Sequence, residues 1–398
     1  MRIGMVLANH PFPPDIRVEK EAQVLADAGH TVLLVCRQEP GQLAEEVVGD
    51  VTAIRHRVHP ASPLRRRLDS LLSLLALDSP SWRGAIERLV TDHGAQAIHC
   101  HDLPFARSAL RAGRRTGVPV VLDFHENYPA ALSLWQRRRI DRLLFSSARA
   151  ARLERSVITM ADRIVVVVDE ARDRLIGLEA DPERVVVFGN AEPANLVPDS
   201  PPRLPDTMHM VYVGGIAVHR GLETAVNAMP AILAERPDAR LTIVGDGATL
   251  GALKDLARRH RLGDSVIFTG RLPKDAAMRH VEDAAIGLVP HLRSPHTEAT
   301  VPHKLFQYMA FGRPVLVSDC APLARIVRET GAGAGFTAGD PASFAKAALS
   351  LAADSERMRQ ASENGRHAAR TTWSMESDAQ GLLALYEELA DTASTSLR

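Results

Sequence analysis

Cysteine is scarce in this chain. Cys36, Cys100 and Cys320 stand far apart among 398 residues, with no CxxC pair, which excludes a zinc-ribbon site or a disulfide framework and suits a reducing compartment. Net charge is missing too. The 48 Lys+Arg balance 48 Asp+Glu, so a tail-driven or histone-like binder is excluded and no nucleic acid is expected as a partner. No apolar run approaches the roughly 18 residues a membrane-spanning helix needs. The opening MRIGMVLANHPFPP has one basic residue and a short apolar run broken by prolines, unlike a secretory signal. A cytoplasmic location is therefore expected, with attachment at a membrane face left open. Neither GxGxxG nor GxxxxGK[ST] occurs, so the dinucleotide fingerprint and the P-loop are both absent.

What is present is an ordinary globular composition, 45% apolar and 24% charged. The length suits about two domains of roughly 100–200 residues each. Short apolar runs at 3–8, 31–36, 97–100, 118–124 and 163–168 read as strands, and helical periodicity fills the gaps, as at 17–28. Pro198, Pro201, Pro202 and Pro205 mark 194–207 as an interdomain linker. The alternation then restarts, with strands at 210–213, 241–244, 266–269, 285–289 and 315–318 and helices at 221–235, 250–260 and 303–311. Strands alternating with helices imply parallel βαβ units. The expected fold is α/β, two doubly wound parallel sheets facing a central cleft, with ligands at the carboxyl ends of the strands.

Three segments of the second half carry chemistry. Residues 211–221 read VYVGGIAVHRG, a strand running into a diglycine turn with Arg220 at its rim. Glycines let backbone approach a phosphate closely, and Arg220 adds permanent charge, although a plain tight turn reads the same way. Residues 243–247, IVGDG, end another strand in a turn where Asp246 can cap a helix. Residues 297–314, TEATVPHKLFQYMAFGRP, hold the strongest signal. Lys304 falls in the first turn of a helix, where the macrodipole disfavours a cation and favours an anion. A phosphate in front of that helix resolves the conflict. Glu298 and Gln307 are spaced to reach a sugar and a ribose.

In the first half, IHCHDLP at 98–104 and VLDFHE at 121–126 place histidines and carboxylates at strand ends, suited to acid–base or orienting work. His99, His101, Asp123 and His125 come from two loops without HExxH spacing, so no metal is expected. Basic amphipathic patterns around 63–77 and 135–155 can lie on an anionic membrane surface, though a solvated helix face is the commoner use of such a pattern.

Taken together, these segments resemble the GT-B nucleotide-sugar glycosyltransferases of group 1, family 4, which include glycogen synthases and bacterial mannosyltransferases. The resemblance rests on DIRVEKEA at 15–22, AGH at 28–30, LDFHE at 122–126, residues 163–169, and FGN at 188–190. Its most specific part is PHKLFQYMA at 302–310 with GRPV at 312–315, supported by GGIAVHRG and GDG. WSME at 373–376 resembles the start of a terminal helix that returns to the first domain. The chain departs from the pattern at Gly215, where many members have Arg, and at Arg220, where Lys is usual. Gln307 replaces the second of two glutamates, and the first falls on Ala299, beside Glu298.

The resemblance implies two Rossmann-like domains, 1–195 for the acceptor and 208–374 for the donor, a linker at 196–207, and a helix 375–398 rejoining the first domain. It implies a retaining, metal-independent transfer from a nucleoside-diphosphate sugar to a saccharide, lipid-linked or small-molecule acceptor, with no cofactor. His125, Arg220 and Lys304 would be catalytic. Gly214, Gly215, Gly245, Asp246, Gly247, Arg271, Glu298, Ala299, Thr300, Val301 and Gln307 would bind the donor. Asp15, Arg17, His101, Asp123 and Glu126 would bind the acceptor, which would enter past residues 9–17. A nucleotide-sugar epimerase on the same fold and a non-catalytic sugar-nucleotide-binding subunit are the alternatives.

Overall fold

The structure is a computed structural model and describes all residues except 9, 58–61, 63, 66, 68, 70, 72–77, 136–145, 201–202 and 396–398. It divides into two units, Met1–Gly189 with Asp378–Arg398, and Asn190–Ser377.

In chain order the first unit has β1 (Arg2–Leu7), α1 (Ile16–Asp27), β2 (Thr31–Arg37), β3 (Glu45–Val48), β4 (Val51–His56), α2 (Pro80–Thr91), β5 (Ala97–His101), α3 (Ala106–Thr116), β6 (Val120–Phe124), α4 (Tyr128–Trp135), α5 (Ser147–Ile158), β7 (Arg163–Val166), α6 (Asp169–Ile176) and β8 (Val185–Val187). The sheet order is β3-β4-β2-β1-β5-β6-β7-β8, parallel except at β3. Strands such as β2, TVLLVCR, are continuous apolar runs buried between their ends, as a sheet covered on both faces requires.

The second unit has β9 (His209–Val213), α7 (Leu222–Glu235), β10 (Arg240–Val244), α8 (Leu250–Arg259), β11 (Val266–Gly270), α9 (Lys274–Glu282), β12 (Ile286–Val289), α10 (His303–Ala310), β13 (Val315–Ser318), α11 (Ala321–Thr330), β14 (Gly333–Phe336), α12 (Pro341–Ala352) and α13 (Ser355–Arg370). All its strands are parallel, in the order β11-β10-β9-β12-β13-β14. The last helix, α14 (Met375–Thr395), begins in the second unit and belongs to the first from Asp378 onward. There Leu382, Leu385 and Tyr386 are buried.

In each sheet the chain reverses its direction of growth at one place. These are the β1/β5 pair in the first unit and the β9/β12 pair in the second. Crevices at the carboxyl ends of such pairs are where doubly wound sheets bind ligands. The loops concerned start at Gly214 after β9, at Pro290 after β12, and at Asp102 after β5.

Several elements escape the sequence pattern. The β3–β4 hairpin turns at Gly49 and Asp50 with β3 on the exposed edge, so β3 lacks the apolar run that marks a strand. β8 is three residues long. β14 reads GAGF, and its glycines carry little strand propensity. The expected linker is strapped to the second unit rather than standing free. Arg370 Nη2 donates to Val197 O (3.0 Å) and Pro198 O (2.7 Å), and Arg366 Nη2 to Asp199 O (3.0 Å). The boundary accordingly falls at 189/190, earlier than the expected 196–207. Much of the two basic stretches, including 72–77 and 136–145, lies outside the described residues, as does residue 9 of the expected acceptor entry. Among the described residues, no helix is long and apolar enough to cross a membrane.

Candidate functional site

The second unit builds a cationic loop from four strand ends. Tyr308 on α10 ends β9: its hydroxyl accepts the Val213 N–H (2.9 Å), and the chain peels away as Gly214 and Gly215. The Tyr212 hydroxyl then pins the turn by donating to Gly215 O (2.7 Å). The GDG turn braces it from the β10 side, with Gly214 N bonded to Val244 O (2.9 Å) and Ile216 N to Asp246 O (3.0 Å). Gly245 has φ +143, and a Cβ there would lie 2.0 Å from Gly214 O, so only glycine fits this contact. The Asp246 carboxylate is exposed and accepts from Gly247 N (2.7 Å). Gly245, Asp246 and Gly247 thus shape the loop that Gly214 and Gly215 present. A Cβ at Gly215 would meet nothing within 4 Å, leaving open space above that turn.

Two cations converge here. Lys304, in the first turn of α10, is 7% exposed and holds Nζ 4.1 Å from the centre of the Tyr212 ring. A Cβ added at Gly214 would lie 2.8 Å from that Nζ. Burial, then the Arg220 charge, pushes the ammonium well below the usual lysine range. No carboxylate pairs with Lys304 or Arg220 among the described residues. Arg220 Nη1 instead donates to His291 Nε2 (3.0 Å). His219 and His296 are driven down to about 4, by burial first and then by Arg220. His291 is driven well below its ordinary value by burial, Arg220 and Lys304. Three neutral imidazoles therefore stand beside the Arg220 guanidinium and the Lys304 amine, a place where an anion would favour the charged form of Lys304.

The other expected donor residues are spread around this loop. Val301 is buried and its carbonyl accepts from Asn190 Nδ2 (2.7 Å). Ala299 is buried and Thr300 half-buried. Gln307 is half-buried on α10. Arg271 is exposed, just past Gly270, whose carbonyl accepts from Gly245 N (2.9 Å). The Glu298 carboxylate is engaged inside the unit by Arg293 Nε (2.7 Å) and by the Ala321 N–H (3.1 Å) at the start of α11.

The first unit holds a different cluster, at the ends of β5 and β6. The parallel register puts His101 opposite Asp123. Arg17, from the first turn of α1, clasps Asp123 with Nε (3.0 Å) and Nη2 (2.8 Å), pairs with Glu21 (2.9 Å), and donates to Phe188 O (2.8 Å). Asp123 Oδ2 also lies 3.0 Å from His101 Nδ1 and 2.8 Å from His125 Nε2. Asp102 has φ +63, a strained conformation for a non-glycine residue. Its N–H donates to Asp123 O (2.8 Å), and its carboxylate lies 3.6 Å from His125 Nδ1. His99 bonds Tyr386 OH (2.7 Å) through Nδ1 and faces Glu21 (3.2 Å) through Nε2.

Burial opposes charge on His125, but Asp102 and Asp123 outweigh it and raise its pKa to about 10. Burial likewise opposes charge on His99, yet Asp123 and Glu21 raise it to about 9. His101 goes the other way, lowered by burial. Burial works against the Asp123 carboxylate as well, but Arg17 and His125 hold it well below its ordinary range. Protonated Arg17, His99 and His125 thus face the carboxylates of Glu21, Asp102 and Asp123, with His101 neutral. Glu21, His99, His101 and Asp123 bring ligand atoms within 4.8 Å of one another. A metal ion there would compete with the His99 proton and with Arg17 for the Glu21 and Asp123 oxygens.

In this cluster only His125 and Asp102 have appreciable side-chain exposure, 18% and 24%. Arg17, His101 and Asp123, expected at the acceptor, are buried and spend their polar groups within the cluster. Asp15 caps α1, accepting from Val18 N (3.1 Å), while its own N–H donates to Glu19 (3.0 Å), a capping box. Glu126 is half-buried beyond β6. Glu21, Tyr386, Tyr212, His219, His291 and His296 join the two clusters without having been singled out by the sequence pattern. Glu21 was within reach, four residues after Arg17 on one helix face.

His99 and His125 set an alkaline limit on the first unit, while acid acts on both units, through the lowered His101 in the first and the lowered His219 and His296 in the second. His99 and His125 titrate above the ordinary 6.5, so their stabilisation is full below pH 6.5 and is lost as pH rises through about 9 to about 10. His219 and His296 titrate below 6.5, so their share is full above pH 6.5 and is lost as pH falls toward about 4. Hydrogen exchange should show β6 amides losing protection toward pH 10 and β9 amides losing it toward pH 4. Loss of β9 protection toward pH 10 in step with that of β6 would contradict the assignment.

Comparison with known proteins agrees with this architecture. Residues 15–191 match the model of the glycosyl transferase 4-like domain, and residues 207–354 match that of glycosyl transferases group 1. The chain is 25% identical over 375 residues to glycogen synthase of Mycobacterium tuberculosis, covering 89% of this chain and 86% of that one. Sucrose-phosphate synthase from Thermosynechococcus elongatus superposes with a TM-score of 0.79 at 19% identity, over 98% of this chain and 99% of that one. Anabaena Alr3699/HepE in complex with UDP-glucose superposes with a TM-score of 0.70 at 13% identity, over 99% of this chain and 100% of that one. The two family matches together span most of the sequence: the chain belongs to the group 1 glycosyltransferases and has the GT-B fold.

Proposed function

We propose that the protein transfers a glycosyl group from a nucleoside-diphosphate sugar to an acceptor hydroxyl, with retained anomeric configuration and without a metal ion. One observation carries the donor assignment: Lys304 and Arg220 meet at the Gly214–Gly215 turn with no carboxylate among the described residues to balance them. As the bond from the sugar to the diphosphate breaks, negative charge grows on the leaving group. Fixed cations and backbone N–H groups aimed at it lower the barrier, and they supply the charge a metal ion would otherwise bring. The UDP-glucose held by the structural neighbour supports a nucleotide sugar as donor. Retention rests on the family resemblance. In the first unit, His125 is the partly exposed cation of its network and would orient the acceptor hydroxyl.

Thermal-shift screening against UDP, GDP, ADP and dTDP and their sugars tests the donor assignment. A ligand at a hundred times its Kd stabilises by about 2.7 kcal/mol, so one nucleotide class should raise the melting temperature by several degrees. No shift with any of them would sink the assignment. A second reading, a subunit that binds nucleotide sugar without transferring it, is favoured by the engagement of Glu298 with Arg293 and the Ala321 N–H. Product analysis with the bound donor and candidate acceptors separates the two, since the second reading gives neither transfer nor hydrolysis.

A further inference from the structure

We propose that His291 is a positioning residue for Arg220: its imidazole Nε2 fixes the guanidinium at the phosphate loop. The inference deepens the donor-site reading and rests on it. Arg220 sits on the short turn Val218–Arg220, which its neighbours clamp to the segment after β12. Leu292 N donates to His219 O (3.0 Å), and a Cβ at Gly221 would lie 1.8 Å from Pro290 O. The backbone is thus held, but an arginine side chain has four further torsions to fix. Nη1 donates to His291 Nε2 at 3.0 Å, and no carboxylate competes for it among the described residues.

The chemistry of the pair sets the tautomer. A guanidinium can only donate, so Nε2 must accept and the His291 proton must sit on Nδ1. The imidazole is 1% exposed and faces Arg220, Lys304, His219 and His296. A second proton on His291 would therefore turn the acceptor into a repelling cation. A neutral acceptor is the suitable partner in this place. A carboxylate would hold Arg220 more tightly but would cancel the charge the diphosphate needs, whereas an imidazole directs the guanidinium and leaves its charge unspent. Its remaining N–H groups stay available for phosphate oxygens.

The test is titration calorimetry of the full chain with UDP, or with whichever of GDP and ADP binds. His291→Gln places an amide oxygen near the Nε2 position, while His291→Asn reaches only to Nδ1 and His291→Leu removes the acceptor. His291→Gln should stay within about twofold of the wild type, and His291→Leu and His291→Asn should weaken binding about tenfold, the scale of one directing hydrogen bond. In an Arg220→Ala background His291→Leu should change affinity by less than about twofold, because coupled residues are not additive. A purely structural role would carry the same loss into that background. Equal affinity of the Gln and Asn variants overturns the proposal, and that pair serves even if the Leu variant fails to fold. So does a full tenfold loss from His291→Leu in the Arg220→Ala background. An Arg220→Ala protein that binds nucleotide as the wild type does, or a wild type that binds none, overturns the donor-site reading itself.

Discussion

Lys304→Met raises the melting temperature of the ligand-free protein while reducing kcat/KM about a hundred- to a thousandfold, the range seen when one preorganised charge-stabilising group is lost. The two effects have one cause. Lys304 is buried over the Tyr212 ring, and among the described residues its charged neighbour is Arg220 rather than a carboxylate. A charge buried without a counter-charge costs stability. Methionine keeps the length of the stem and discards the charge, so the free protein should gain about 1–3 kcal/mol. At roughly 2–4 °C per kcal/mol for a domain of this size, that is a readable shift. Added nucleotide should raise the melting temperature of the wild type and leave that of the variant in place. A variant that melts lower than the wild type, or still responds to nucleotide, would show that Lys304 is a packing residue.

The opposite result is expected in the first unit. Arg17→Met should destabilise it by about 3–5 kcal/mol, the cost of removing one partner from a buried ion pair. Arg17 is the counter-charge for both Asp123 and Glu21, and it also bonds the carbonyl of Phe188 beyond the last strand. Without it, two buried carboxylates are left to His99 and His125. Urea unfolding near pH 7 should show the loss. The triple variant Arg17→Met, Glu21→Gln, Asp123→Asn should recover part of it. A loss under about 1 kcal/mol, the worth of an exposed pair, would mean that the network does not hold the unit together.

The contrast between these residues also shows what the sequence makes legible. Central strands announce themselves because sheets buried on both faces need continuous apolar runs, as β2 and β7 have. The edge strand β3 and the glycine-rich β14 lack that signal because pairing, rather than side-chain burial, defines them. Lys304 stands out because a lysine in a first helical turn conflicts with the helix dipole and so points to an anion. Arg220 is marked by the diglycine turn beside it. His291 carries no such mark: in the sequence it is one more residue after a strand, and its role emerges only when a turn some 70 positions earlier folds against it. The bond between His99 and Tyr386 spans 287 positions, and no local pattern encodes it. Arg17 is legible as a functional candidate, but its burial against the carboxylates of Glu21 and Asp123 is a property of the packed unit.

Crystals of the full chain grown with UDP test the central claim most directly. The diphosphate should lie over the Gly214–Gly215 turn, with Arg220 and Lys304 nitrogens each within about 3 Å of its oxygens. A nucleotide bound elsewhere, or bound with either cation turned away from the phosphates, would contradict it.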